Sequence, residues 1–235
     1  MNPQFFKVAM ETVVVTMPEQ NIASFGTSVI TYNMVTRPLY QALETDKRTD
    51  ESVLRRGIVK AERPKIVTPH FLSRAPGFGE EAHKFAQEMI RRGQADDPSI
   101  LYTYSNEPQD MEIISTRPEE LAARIGRRIE RESLTLEAVI LGVDEMWDVS
   151  LMKFIFDLTN KSAPTNSADL IRSGRAIIDD GVPVDARLRV EEMIIQVRKG
   201  NLDPEILHQE LEAWQLFDEY QDQFFQALKG RRLNF

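Results

Sequence analysis

The longest strongly apolar stretch is residues 134–161, LTLEAVILGVDEMWDVSLMKFIFDLTNK. At helical spacing, Leu136, Ile140, Val143, Trp147, Phe154 and Leu158 share one face, three, four or seven residues apart. Glu137, Asp144, Glu145 and Asp148 fall on the opposite side, whereas residues 149–158 are apolar nearly all round. A helix buried on every side reads in that way. The pattern therefore predicts one central helix with a wet first half and a dry second half.

Strand-like runs precede it. Residues 11–17 and 28–36 are β-branched or alternating and predict a hairpin with a long loop, ended by Arg37-Pro38. The mixed-charge run 43–51 reads as an exposed loop or short helix, and 57–61 and 65–68 as two short strands. The loop APGFG at 75–79 opens a helix over 80–92, which Gly93 stops. Residues 100–105 and 111–115 read as a hairpin around 106–110. Thr116 and Glu119 have capping-box spacing and Pro118 suits a first turn, so a helix follows, with Arg127, Arg128 and Arg131 towards its end.

Beyond the central segment, Pro164 is expected to restart the chain in a short helix ending near Gly174. A turn at 180–183 leads to helices over 184–199, capped by Gly200, over about 203–214 from Asp203-Pro204-Glu205, and over 217–228. Strands early and helices late predict an α+β fold: an N-terminal antiparallel sheet with one or two helices, followed by a helical C-terminal region. The natural boundary is near Ser133, giving regions 1–133 and 134–235, packed on one another or forming one continuous domain.

Composition narrows the classes. The 235 residues suffice for a sizeable core, and 42% hydrophobic with 28% charged residues is ordinary for a globular protein. With no cysteine, disulfides, thiolate metal sites and cysteine nucleophiles are excluded, and a reducing cytoplasm is the expected setting. The first residues lack the pattern of a secretory signal, and no apolar run reaches the roughly 18 residues of a membrane span. A net charge of −8 repels a phosphate backbone, so neither nucleic acid nor membrane is an expected partner.

Candidate chemistry is sparse. Asp144 and Asp148, one helical turn apart with Glu145 beside them, would repel one another and favour a divalent cation with oxygen ligands, Mg²⁺ or Ca²⁺. The plainer reading is a solvated face or one paired with Arg124, Arg127, Arg128 and Arg131. Glu-x-x-His occurs at Glu80/His83 and Glu205/His208, as in di-metal carboxylate bundles; first-turn glutamates favoured by the helix dipole explain it equally. Ser150-x-x-Lys153 has the spacing of serine enzymes of the penicillin-binding type, yet their companion motifs are missing. Gly77-Phe78-Gly79 precedes a helix, but Glu80 and Glu81 would repel an anion there.

Two further sets concern surfaces and packing. Arg55, Arg56 and Lys60 beside a strand, with Tyr102 and Tyr104 on another, could serve a nucleic-acid-binding sheet, but tyrosines facing a core explain them more simply. Trp214, Phe217, Tyr220, Phe224, Phe225 and Leu228 load the end of the chain with aromatics, for its own core or for an interface with a second copy or another protein. Lys153, Asp157 and Lys161 form a ladder at four-residue steps.

The segments GVDEMWDVSLMKFIFDLT (142–159), RPKIVTP (63–69) and GFGEEA (77–82) together resemble a family of uncharacterised bacterial proteins. The resemblance implies a bacterial cytoplasmic origin and carries no activity, cofactor or residue role. With no complete catalytic constellation, the leading expectation is a non-enzymatic, soluble binding or regulatory protein, homo-oligomeric or partnered, acting through its helical C-terminal half. A metal-dependent enzyme built on Asp144 and Asp148 is the alternative, and a small-molecule-binding protein is another.

Overall fold

Residues 134–161 do not form one helix. In the computed structural model, which describes residues 3–39, 50–68, 71, 84, 88, 91 and 98–232, the segment divides at Gly142. Glu137–Gly142 is strand β7, Asp144–Met146 is one 3₁₀ turn, and helix α3 runs Trp147–Arg172. The physical reason is that β7 is a central strand, covered on both faces. Ala138, Val139 and Ile140 are all fully buried, so the strand shows no alternation and imitates a buried helix.

The chain divides into two compact units, residues 1–64 with 102–166, and residues 65–101 with 167–235. The boundary expected at Ser133 falls inside the first unit, between α2 (Pro118–Glu132) and β7. Helix α3 contributes its residues through Asn166 to the first unit and its last turns to the second.

The first unit is built on a five-stranded sheet in the order β1-β7-β2-β3-β6. Its strands are β1 (Val13–Thr16), β2 (Ser28–Thr36), β3 (Ser52–Ala61), β6 (Tyr104–Ile114) and β7. Three of the four pairings are antiparallel, and β2 with β7 is parallel, Tyr32 opposite Ala138 and Met34 opposite Ile140. The expected β1–β2 hairpin is therefore absent, because β7 lies between the two strands. Helix α2 covers one face through Leu121, Ala122, Ile125 and Ile129, which pack on Val35, Leu54 and Val139. Helix α3 covers the other through Leu151, Phe154, Ile155 and Leu158, on Ile30, Tyr32, Met34 and Ile140. A short helix, α1 (Pro3–Glu11), precedes β1.

Several local expectations change. Residues 106–110 are not a turn: β6 is one edge strand of 11 residues, paired along β3. The register shifts at Arg56/Gly57, which face Asp110 and Pro108, so Gln109 is the additional residue of a bulge. Pro108 is tolerated there because an edge strand has one unpaired side. Helix α2 starts one residue later than capping by Thr116 requires; Arg117 is the cap without a side-chain bond, and Thr116 Oγ1 donates to Ser115 O at 2.8 Å. Pro164 lies inside α3 and does not end it. Pro164 and Asn160 are both exposed, so the Asn160 carbonyl that loses its helical donor faces water.

The second unit contains β4 (Lys65–Val67) paired with β5 (Ser99–Leu101), so residues 100 and 101 belong to this pair and not to a hairpin with β6. It also holds a small hairpin, β8 (Ile178–Asp179) with β9 (Val182–Pro183), and helices α4 (Val184–Lys199), α5 (Pro204–Trp214) and α6 (Phe217–Arg232). The β8–β9 turn places Asp180 and Gly181 at φ 51° and 75°, the left-handed pair that an Asp-Gly hairpin favours. Asp203 caps α5 by accepting from Glu205 N at 3.0 Å. Val190, Ile194, Leu207, Leu211 and Trp214 form the core of the three-helix region. The architecture is thus α+β, with a mixed sheet early and helices late. Among the described residues no helix is long and apolar enough to cross a membrane. The expected helix over 80–92 and the loop over 75–79 lie outside the described residues apart from isolated positions, as does most of the charged run 43–51.

Candidate functional site

Because β2 and β7 run parallel, Thr36 and Gly142 end them at the same edge of the sheet. The chain leaves both strands there, through Arg37-Pro38-Leu39 on one side and Val143-Asp144-Glu145 on the other, while α2 begins beside them at Pro118. A crevice of about 700 Å³ opens between these segments. Val13, Val35 and Leu141 supply an apolar floor; Glu11, Glu119, Asp144, Glu145 and Arg37 supply its charged groups. Ligands of open sheets collect outside the carboxyl ends of parallel strands, since departing loops leave a hollow there.

Asp144 is the anchored group of this crevice. Its carboxylate accepts from Arg55 Nη1 at 2.6 Å, Thr36 Oγ1 at 2.7 Å and the Leu39 amide at 3.2 Å. Arg55 Nη1 also donates to Thr36 Oγ1 at 3.1 Å, and the guanidinium carbon sits 5.8 Å from the Trp147 ring centre. The side chains of Arg55 and Asp144 are 17% and 15% exposed, so the pair is largely desolvated. A charge held like this is neutralised within the protein.

The other two members of the acidic set do not join it. Glu145 and Asp148 are exposed, and Asp148 Oδ1 accepts from the Val149 amide at 2.9 Å within the first turn of α3. The 3₁₀ turn separates Asp144 from that helix. Among the described residues no three acidic or histidine side chains are grouped as metal ligands. Glu80 and His83 lie outside the described residues. Glu205 sits in the first turn of α5 and accepts from Gln209 Nε2 at 3.4 Å, while His208 lies 3.8 Å from Glu212 and packs edge-on against Phe217.

The remaining candidates resolve into packing. Ser150 is buried and its Oγ accepts from Thr12 Oγ1 at 2.8 Å and from the Val143 amide at 3.2 Å. Lys153 pairs with Asp157 instead of Ser150. Lys161, the third rung of the ladder, donates to the Pro18 and Glu19 carbonyls. Tyr102 and Tyr104 stack with ring centres 6.4 Å apart and donate or bond to Asn166 Oδ1 at 2.9 Å and Thr159 Oγ1 at 2.5 Å. Burial, with the neighbouring phenol, pushes Tyr102 up to about 12, and burial also raises Tyr104. Both tyrosines therefore belong to the core against α3. Of the C-terminal aromatics, Trp214, Tyr220 and Phe224 are buried, Phe217 and Leu228 pack against the same cluster, and Phe225 is exposed.

The basic residues gather around a groove of about 400 Å³, lined by Arg56 and by Arg124, Arg127, Arg128 and Arg131 of α2. Arg56 is paired with Asp110 and Glu112, Arg128 with Glu137, and Arg131 with Glu132. Most of its charge is thus answered by adjacent carboxylates.

Sequence reasoning missed Arg55 as the partner of Asp144. The available signal was an arginine pair inside an apolar strand, SVLRRGIVKA, where one side chain must face a core. Comparison of the chain with protein-family models, curated proteins and solved structures returned no match.

Proposed function

We propose that the protein is a small-molecule-binding protein whose ligand sits in the crevice at the carboxyl ends of β2 and β7. The observation that carries this reading is the hollow itself, about 700 Å³ over an apolar floor at the one place among the described residues where parallel strands end together. Four carboxylates against one arginine on its lining favour a ligand with an amine or other cationic group and a small apolar body. Asp144 is already paired with Arg55 and Glu119 with Arg37 at 3.4 Å, so Glu145, and Glu11 at 3.8 Å from Lys7, are the groups that would meet such a cation. The lack of cysteine supports a cytoplasmic setting.

Among the sequence-based readings, action through the C-terminal helices has less support, because most of the aromatics that suggested it fill their own core. A screen of small amines by ligand-observed NMR, run on the full chain and on Val13→Trp, tests the proposal. Val13 is half exposed at the crevice, so tryptophan there occupies the hollow without entering the core. Hits that disappear in the variant support the site. An absence of hits, or hits that survive Val13→Trp, would defeat it.

A further inference from the structure

A second hollow lies in the same unit, on the α3 face of the sheet, beneath the bulge of β6. It measures about 270 Å³ and is bordered by Tyr32, Arg55, Trp147, Pro108 and Met111, together with Asp110, whose carboxylate is answered by Arg56 at 3.0 Å. Three independent features of it are left over by the fold.

The first is the Tyr32 hydroxyl. Tyr32 is fully buried, and its oxygen has no hydrogen-bond partner among the described residues. Burial raises its pKa; the nearby Asn106 side chain and the Arg55 guanidinium offset this in part, without closing a bond to the oxygen. A buried hydroxyl without a partner is costly and uncommon in a native fold. Room for it exists only because residue 57 is glycine: a Cβ there would lie 2.4 Å from the oxygen.

The second is the unused edge of Arg55. Nη1 is spent on Asp144 and Thr36. Among the described residues Nε and Nη2 meet no acceptor, and neither is a closed-off buried atom. Together they present two parallel N–H groups, the geometry that takes a carboxylate in bidentate fashion. Asp144 fixes the plane of the guanidinium, so little order has to be gained on binding.

The third is the wall. Trp147 is partly buried beside Arg55, and Pro108 and the exposed Met111 stand at the bulge. Bulges often re-aim side chains around sites. An indole, a proline ring and a thioether give the hollow apolar surface that suits a flat ring.

We infer that this hollow binds a planar ring carboxylate, its carboxylate on the Nε and Nη2 edge of Arg55 and its ring against Trp147, with the enclosed Tyr32 side chain beneath it. The site does not depend on the crevice at the ends of β2 and β7, and its ligand carries the opposite charge. Asp144 belongs to the wall of that crevice and Arg55 to this hollow, so one ion pair stands between the two.

The test is calorimetric titration of the full chain with benzoate and nicotinate, against benzamide and nicotinamide. The acids should bind about tenfold or more tighter than the amides, since only they answer the guanidinium edge with charge. Tyr32→Phe should leave the fold at least as stable, because it deletes a hydroxyl without a partner. Arg55→Lys, which keeps a positive charge facing Asp144, should weaken the acids by about tenfold with the loss of the fork. As a readout that needs no variant, benzoate should shift the Met111 methyl resonance through its ring current. Val13→Trp should leave benzoate binding unchanged, which separates this site from the crevice. The inference is overturned if acids and amides bind alike, if neither acid binds at about 10 mM, if the Met111 methyl does not move, or if Arg55→Lys binds as the wild type does.

Discussion

Arg55 and Asp144, 89 residues apart in the chain, meet at 2.6 Å and tie strand β3 to the 3₁₀ turn that follows β7. Neither side chain is well solvated, so each depends on the other. Removing one partner leaves a desolvated charge, which commonly costs about 3–5 kcal/mol in fully buried pairs and somewhat less where water reaches. Asp144→Ala should therefore lower the urea-unfolding free energy by about 2–4 kcal/mol. The double variant Arg55→Met/Asp144→Leu should lose less than Asp144→Ala alone. If the single variant unfolds as the wild type does, the pair is not a structural tie.

Gly142 ends β7 at a point of close approach. A Cβ there would stand 2.6 Å from Met34 Sδ and 2.8 Å from Ser150 Cβ and Oγ. Ser150 cannot withdraw without giving up its bonds to Thr12 and the Val143 amide. Gly142→Ala should destabilise by about 1–3 kcal/mol, the usual cost of overpacking. Gly26→Ala is the control, since an added Cβ there meets nothing within 4 Å. Thermal denaturation of both variants decides it; equal midpoints would refute the crowding.

The tyrosines of the first unit set an alkaline limit. The Tyr102 pKa is pushed up to about 12 and those of Tyr32 and Tyr104 are also raised, chiefly by burial. Each folded phenol holds its proton more tightly than the unfolded one, which titrates at about 10. Stability is then fully present below about pH 10 and falls as pH rises towards 12, because the unfolded chain loses protons first. Tyr102→Phe should flatten that fall, measured as denaturation midpoint against pH. An unchanged alkaline limb would exclude Tyr102 as its source.

In the second unit Arg189 of α4 pairs with Glu210 of α5, and Trp214 Nε1 donates to the same carboxylate at 3.1 Å. Arg189 is buried, and its Nε and Nη1 have no partner among the described residues. Glu210→Ala would strand that guanidinium altogether, and should cost about 3–5 kcal/mol in unfolding free energy. Glu210→Gln, which can still accept from both donors, should lie between the variant and the wild type. A Glu210→Ala protein of wild-type stability would contradict this.

The elements legible in the sequence are those whose signals are local. Strand β2 at 28–36 shows its β-branched residues, though as a central strand it alternates in burial only at its start; Gly200 caps α4 at φ 80°, Asp203 caps α5, and Asp180-Gly181 makes its hairpin turn. Each depends on a few neighbouring residues and on backbone conformations that only certain side chains accept. The class, α+β, followed from these.

Burial on two faces was not legible. Residues 138–141 are apolar throughout because β1 and β2 flank them and helices cover both sides, and only that setting distinguishes a central strand from a buried helix. Placing β7 in the sheet also moved the chemistry. It separated Asp144 from Asp148, brought Asp144 to Arg55, and opened a crevice where β2 and β7 end together. The sequence alone determined which segments could be helix or strand and which side chains could carry charge. Only the tertiary structure decided which charges meet, because those pairings join residues about ninety positions apart and depend on strand order.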